Sequence, residues 1–380
     1  MNTTCEWKEY ELGDLLSYEQ PTPYIVESTD YNDKYKTPVL TAGKSFILGY
    51  TNETQGIYKA LPVIIFDDFT TASQYVNFEF KVKSSAMKIL TPNTDLVLPK
   101  FIYYRMQIIQ FDHSTHKRYW IQQYSKIKVS IPPIPVQEQI VAKIEELFSE
   151  LDNGVETLQK TKQQLTVYRQ AVLKDAFRNC EAWDKYHFSD LLSEVRNGYG
   201  LKPNDCGDYH ILKISAVRPL NLDLSECRLN KTPFSADDTI AENDILFTRY
   251  NGSKEYVGVC SVVPVLTKPY AYPDKLIKCR PKIQNAVHSK YLAYYMSQGD
   301  ARKYLRSKIK TTSGQNGIAG GDIKKTIVYL PSSDMQVRIV TEVESRLSVC
   351  DSIEKTVDTA LQQAAAMRQS ILKNAFERSL

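Results

Sequence analysis

The sequence predicts an α+β chain: two α/β globular domains separated by two long antiparallel coiled-coil helices, arranged with pseudo-two-fold symmetry. Three observations predict it. Residues 131–177 recur 199 positions later as residues 330–376 without a gap. Each copy carries one apolar seam at helical spacing. The stretches before each copy read as short strands and loops.

The duplication is dense. Pro132 falls on Pro331, Gln137 on Gln336, Glu145 on Glu344 and Asp152 on Asp351. Arg169-Gln170 falls on Arg368-Gln369, and Leu173-Lys174-x-Ala176-Phe177 on Leu372-Lys373-x-Ala375-Phe376. Agreement of this density marks an internal repeat. In the first copy Ile140, Ile144, Leu147, Leu151, Val155, Leu158, Leu165, Tyr168 and Val172 form the seam. In the second, Ile339, Val343, Leu347, Cys350, Val357, Leu361, Met367 and Ile371 keep it, with Cys350 and Ala364 as weaker members. Pro135 suits a first helical turn, and Ser333-x-x-Gln336 has the spacing of a capping box. A helix over 136–177 would be roughly 63 Å long at 1.5 Å per residue. A seam this narrow needs a partner, and the other copy is the obvious one.

The repeat also reaches into the globular parts. Trp7-x-x-Tyr10-x-Leu12 with Asp14-Leu15-Leu16-Ser17 returns as Trp183-x-x-Tyr186-x-Phe188 with Asp190-Leu191-Leu192-Ser193. The boundaries that follow are a first domain over 1–131, a helix over 132–179, a second domain over 180–330 and a second helix over 331–380. In the first domain Val63 to Phe66 reads as a buried strand, and Val76, Phe78, Phe80 and Val82 alternate with polar residues as a half-exposed one. Lys100 to Gln110 reads as a helix. In the second domain strands are expected at Ile245 to Phe247 and Tyr256 to Val263, a helix from Ser289 to about Ile309, and a polar, glycine-rich loop from Thr311 to Gly321.

With 380 residues, 42% of them hydrophobic, the chain can bury sizeable cores. No apolar run approaches the ~18 residues of a membrane helix. Met1 to Gln20 is too polar and acidic for a signal peptide. The seven cysteines (Cys5, Cys180, Cys206, Cys227, Cys260, Cys279 and Cys350) are scattered and contain no Cys-x-x-Cys, which fits free thiols in a reducing cytoplasm. Charge is uneven. Residues 1–131 carry 14 basic and 14 acidic side chains, whereas residues 179–330 carry 22 and 16. The balance favours nucleic-acid contact for the second domain and says nothing for the first.

Signals for catalysis are weak. Ala42-Gly43-Lys44-Ser45 looks like the end of a phosphate-binding loop, but Pro38 stands where that loop needs glycine. Asp67 or Asp68 with Glu79-x-Lys81 imitates the carboxylates and lysine of a metal-dependent nuclease. His113-x-x-His116 is a paired histidine spacing without nearby cysteines. Neither a glycine-rich cofactor loop nor an Asn/Asp-Pro-Pro-aromatic motif for base methylation occurs. The expectation is therefore no active site, no metal and no cofactor.

Two divergent domains, each ending in a strand, a proline turn with Gln and Ile-Val, and a long helix closing on Leu-Lys-x-Ala-Phe, resemble the specificity subunit of type I restriction–modification systems. The resemblance covers essentially the whole chain and is firmest at 7–17, 126–177, 241–258 and 314–376. It implies two target-recognition domains, each reading one half of a split double-stranded DNA site. The helices would be spacer and platform for two methyltransferase subunits that methylate adenine, with room for restriction and translocase subunits. It also implies a non-catalytic, cytoplasmic chain with no membrane partner. Lysines and arginines would hold phosphates, and amides, hydroxyls and arginine would read base edges. The residues expected there are Lys81, Lys83 and Lys88 in the first domain, and Arg249, Asn251, Lys254, Lys308, Lys310 and Gln315 in the second. Two other classes stand beside this one: a stand-alone metal-dependent nuclease with a coiled-coil arm, and a scaffold that joins proteins without DNA.

Overall fold

The computed structural model describes residues 7–43, 45–112, 118–200, 206–312 and 314–377. It divides into two compact units, Met1–Leu158 with Thr359–Leu380, and Gln159–Asp358. The two long helices, Ile134–Ala176 and Ser333–Phe376, are hereafter the first and second rods, and the division falls within both.

In the first unit the strand Lys8–Glu11 pairs antiparallel with Lys128–Ile131, Lys8 opposite Ile131. The globular domain thus begins and ends side by side, and its last strand runs through Pro132-Pro133 into the first rod. Between them lie two sheets. One has the order Leu16–Glu19, Met87–Pro92, Val63–Asp67, Ser73–Val76; the other has Ile47–Thr51, Thr37–Leu40, Lys81–Val82. Val63 to Phe66 form the expected strand and are fully buried, because both faces are covered. Ile64 and Phe66 face a core with the helix Pro99–Met106, while Val63 and Ile65 face a second core.

The alternating strand expected over 76–82 is not continuous. Ser73–Val76 ends one strand, Phe80 bridges Tyr58, and Lys81–Val82 joins the other sheet beside Val39 and Leu40. The chain changes sheets there, so the alternation marks two short edges rather than one exposed face.

The start of the first rod is wider than a seam. Val141, Ile144 and Phe148 enter the core of the first domain, together with Leu372, Ala375 and Phe376 from the end of the second rod. Phe376 meets Phe101 edge to face at 5.2 Å, and Lys100 is ion-paired with Glu145. Gln137, fully buried, fixes the rod's entry. Its Oε1 accepts from Leu98 N at 2.8 Å, and its Nε2 donates to Pro132 O at 2.8 Å and Leu96 O at 3.0 Å.

The second unit repeats this plan. Asp184–His187 pairs antiparallel with Ile327–Leu330, which feeds the second rod. A four-stranded sheet has the order Leu192–Asn197, Leu276–Pro281, Ile245–Thr248, Cys260–Val262. Phe177, at the end of the first rod, lies 5.5 Å from Tyr291 and 5.2 Å from Tyr295. Lys290 pairs with Glu344 as Lys100 does with Glu145. Gln336 donates to Pro331 O at 3.0 Å, and its Oε1 lies 3.0 Å from His288 Nδ1. A carbonyl oxygen only accepts, so His288 donates through Nδ1. The capping box expected of Ser333 and Gln336 does not form, because Gln336 is committed to the proline turn and the neighbouring helix.

Three further expectations are corrected here. The helix expected over 289–309 is two, Ala286–Ser297 and Gly299–Ser307, broken where extended Gln298 caps Asp300 N at 3.0 Å. The strand expected over 256–263 is confined to Cys260–Val262. The stretch expected as a loop over 311–321 is a hairpin followed by a short helix, Gly320–Lys324.

Along the rods Leu165, Val172, Val343, Cys350 and Val357 are buried as the seam requires. Tyr168 and Met367 are not: they are 49% and 54% exposed. Their neighbours Arg169 and Arg368 turn inward instead. In the second unit Lys162 pairs with Asp358 and Arg346 with Asp175, so partner numbers fall along one rod as they rise along the other, the antiparallel order. Among the described residues no helix is long and apolar enough to cross a membrane, and six cysteines are free thiols.

Candidate nucleic-acid interface

In the second unit the buried strand Ile245–Thr248 leaves the core at Arg249, whose N–H donates to Lys275 O at 2.8 Å and whose carbonyl accepts from Ile318 N at 3.0 Å. This positions Tyr250–Asn251 against Gln315–Gly317, which in turn pairs with Lys310–Thr312. The result is a three-stranded sheet. Across it Lys310 and Tyr250 both stand opposite Gly317, and Thr312 stands opposite Gln315. Side chains alternate along a strand, so Tyr250, Lys310, Thr312 and Gln315 share one face. The other face is tied by Asn316, which accepts from Thr311 Oγ1 and donates to Gly252 O, both at 2.7 Å. A Cβ on Gly317 would meet the Tyr250 ring at 2.4 Å, so glycine there makes room for the tyrosine.

The Arg249 guanidinium lies 4.7 Å from the Tyr250 ring centroid, and its Nη1 reaches Asp274 O at 3.3 Å. Asn251 Oδ1 accepts from Ser253 N at 3.0 Å, leaving its amide donor for other partners. Lys254 and Lys308 flank the sheet, both exposed; Lys308 Nζ sits 5.2 Å from the Tyr304 ring centroid. Arg302 braces the segment before Gly258 by donating to Val257 O at 2.8 Å and Glu255 O at 2.7 Å. Burial, with Arg306 nearby, pushes its pKa down to about 10, which still leaves it charged at neutral pH.

All six residues expected in this domain therefore lie on or beside one small sheet, although they come from segments some 60 positions apart. The sequence reading missed Tyr250 and Thr312. The adjacent Arg249-Tyr250-Asn251 was the available signal, since an arginine beside an aromatic suits a stacked surface contact.

The first domain differs. Lys81 is 3% exposed and pairs with Glu53 at 2.8 Å while donating to Gln55 O at 2.7 Å. Lys88 is fully buried, 3.5 Å from Asp68 and 5.5 Å from the Tyr18 ring centroid. Neither ammonium group reaches the surface, because both lysines sit where the chain enters a sheet interior. Lys83 is exposed, 5.9 Å from the Tyr31 ring centroid. The nuclease-like set is dispersed: buried Asp68 accepts from Trp120 N at 2.8 Å, Glu79 pairs with Lys59 at 3.3 Å, and Lys81 with Glu53. Among the described residues no cluster of three His, Cys, Asp or Glu could hold a metal ion. His113, His116 and Lys44 lie outside the described residues.

Residues 5–166 and 182–363 match the type I restriction modification DNA specificity domain. The chain belongs to that family. It is 37% identical over 273 residues to the EcoKI type I restriction enzyme specificity subunit of Escherichia coli K12, covering 68% of this chain and 58% of that one. It is 46% identical over 207 residues to the EcoR124I/EcoR124II specificity subunit of Escherichia coli, covering 51% and 49%. The matched part of this specificity-domain chain thus spans about half to three-fifths of the length of these relatives. A solved chain from work on assembly and conformational transition of the type I R-M system superposes with a TM-score of 0.70, at 15% identity and 98% coverage of both chains. At that identity the likeness shows a shared fold.

Proposed function

We propose that this chain is the DNA-recognition subunit of a type I restriction–modification complex. Residues 1–131 and 180–330 act as target-recognition domains, each reading one half of a bipartite duplex site. Residues 132–179 and 331–380 act as spacer and dock two methyltransferase subunits that methylate adenine, with restriction and translocase subunits as further members. The complex works in the cytoplasm. The chain itself recognises the DNA and leaves catalysis to its partner subunits.

The observation that carries the reading is the small sheet of the second domain. Exposed Lys254, Lys308 and Lys310 are suited to phosphates, which set position without reading sequence. Gln315, Arg249 and the free amide donor of Asn251 are suited to base edges. In the first domain Lys83 remains available for phosphate, while Lys81 and Lys88 hold the domain together from within.

The test is selection by the purified full chain from duplexes with a randomised centre, at low salt. The expected result is two short preferred motifs separated by a fixed gap. Failure to retain any duplex, or retention with no base preference, would contradict the reading.

A further inference from the structure

Of the three lysines expected at DNA in the first domain only Lys83 is exposed, and the domain holds a built tip elsewhere. Strand Val63–Asp67 ends in a turn fastened by Asp67, whose Oδ1 accepts from Phe69 N at 2.9 Å and Thr70 N at 2.8 Å. Asp67 O accepts from Thr71 N at 2.9 Å, Asp67 N donates to Ala72 O at 2.8 Å, and Thr71 takes the left-handed φ of 56°. This turn carries Phe69 outward, 40% exposed. A single exposed apolar ring needs no explanation by itself. Its neighbour does: the Arg118 guanidinium lies 6.0 Å from the Phe69 ring centroid. Arg118 is held there because the next residue, Tyr119, donates its N–H to Asp68 O at 2.9 Å, and Trp120 donates to Asp68 Oδ1 at 2.8 Å.

The second domain makes the same backbone bond. Ile318 N donates to Arg249 O at 3.0 Å. Each acceptor directly follows a buried strand, Val63–Asp67 or Ile245–Thr248, that stands third in its four-stranded sheet, and each donor comes from a segment downstream of that sheet. The bond therefore equates Asp68 with Arg249, Phe69 with Tyr250, and Arg118 with Gly317. At both places a guanidinium covers an aromatic ring at the surface, but it arrives by different routes. In the second domain it comes from the residue before the ring, and Gly317 stays bare to admit the tyrosine. In the first, the position of that glycine supplies the arginine. The 199-residue offset of the rods would set Phe69 on Lys268, so the duplication seen in sequence does not reveal the match.

We propose that Arg118 and Phe69 form the base-reading element of the first domain, the counterpart of Arg249 and Tyr250, acting on one half of a duplex DNA site. The assignment rests on the recognition function proposed above and deepens it. A guanidinium held within cation–π reach of a ring keeps its planar fork of donors, which fits guanine O6 and N7 in the major groove. The phenylalanine edge offers apolar contact to an adjacent base, such as a thymine methyl.

The experiment repeats the duplex selection with the full-length wild type, Arg118→Ala, Arg118→Lys, Phe69→Ala and Arg249→Ala, with thermal melting to establish that each variant is folded. Arg118→Ala flattens the preference at one or two positions of one half-motif and weakens binding to the wild-type duplex by about tenfold. Arg118→Lys keeps the charge but does not restore the preference, and Arg249→Ala acts on the other half-motif. Unchanged preferences in folded Arg118→Ala and Phe69→Ala overturn the assignment, whether affinity is unchanged or uniformly lower. A wild-type chain that selects no motif overturns the recognition function itself, a result distinct from a motif that Arg118→Ala leaves intact.

Discussion

Arg169 of the first rod lies 2.7 Å from Asp351 of the second, and the two equivalent residues, Arg368 and Asp152, are paired in the other unit. Arg169 also reaches Glu354 at 2.8 Å. Each arginine occupies a seam turn from which Tyr168 or Met367 has swung outward. The repeat has thus converted one apolar layer into a charged one at two places, which fixes antiparallel register as well as adding attraction.

A double-mutant cycle on Arg169→Ala and Asp351→Ala should give a coupling of about 0.5–1 kcal/mol in 0.1 M salt, since the arginine is only partly exposed. Urea unfolding measures it. The coupling should shrink in 1 M salt, where the screening length falls to about 3 Å.

Gln137 should matter more. Gln137→Ala leaves Leu98 N, Leu96 O and Pro132 O without their partner in a buried place. Unsatisfied buried groups cost about 1–3 kcal/mol each, reduced by water entering the space, so a net loss of about 2–3 kcal/mol is expected by urea unfolding. Gln137→Leu should not recover it, because the leucine fills volume but supplies no hydrogen bond.

On the sheet of the second domain, Lys310→Ala should weaken duplex binding evenly across sequences and reduce the slope of log affinity against log salt by about 0.9. Gln315→Ala should leave that slope unchanged and relax one base position. Binding titrations at several salt concentrations separate the two.

His288 gives a pH dependence. Burial pushes its pKa below the usual 6.5, although the Gln336 bond pulls the other way. The unfolded chain therefore takes up this proton at higher pH than the folded one. Stability is complete above about 6.5 and falls as pH drops toward the folded pKa. Urea unfolding from pH 8 to 5 should show a shallower decline below 6.5 for His288→Asn than for the wild type.

The rods were legible because one repeated pattern stated them twice and because helical spacing is regular. The seam expectation fails at Tyr168 and Met367, where apolar type suggests burial and the adjacent arginine takes the place, and it misses Val141, Phe148 and Leu372, which the core of the first domain buries. The Ser333-x-x-Gln336 spacing allows a capping box, but spacing shows which bond is possible and not which competitor, here His288 and the proline turn, takes Gln336. The globular domains were less legible. Lys81 and Lys88 look exposed by composition, but ion pairs with Glu53 and Asp68 bury them, and those partners lie 28 and 20 positions away. The sheet of Tyr250, Gln315 and Lys310 depends on pairing across more than 60 positions, while its charged members were already visible as a basic cluster.

On the proposed function, each domain reads its own half-site for a partner enzyme. The most direct test of this independence replaces residues 20–120 with the corresponding part of another recognition domain and maps methylated adenines by long-read sequencing, with methyltransferase subunits present. One half of the methylated sequence should change while the other half and the gap stay as they were. A change in both halves, or methyl transfer by the purified chain without those subunits, would contradict it.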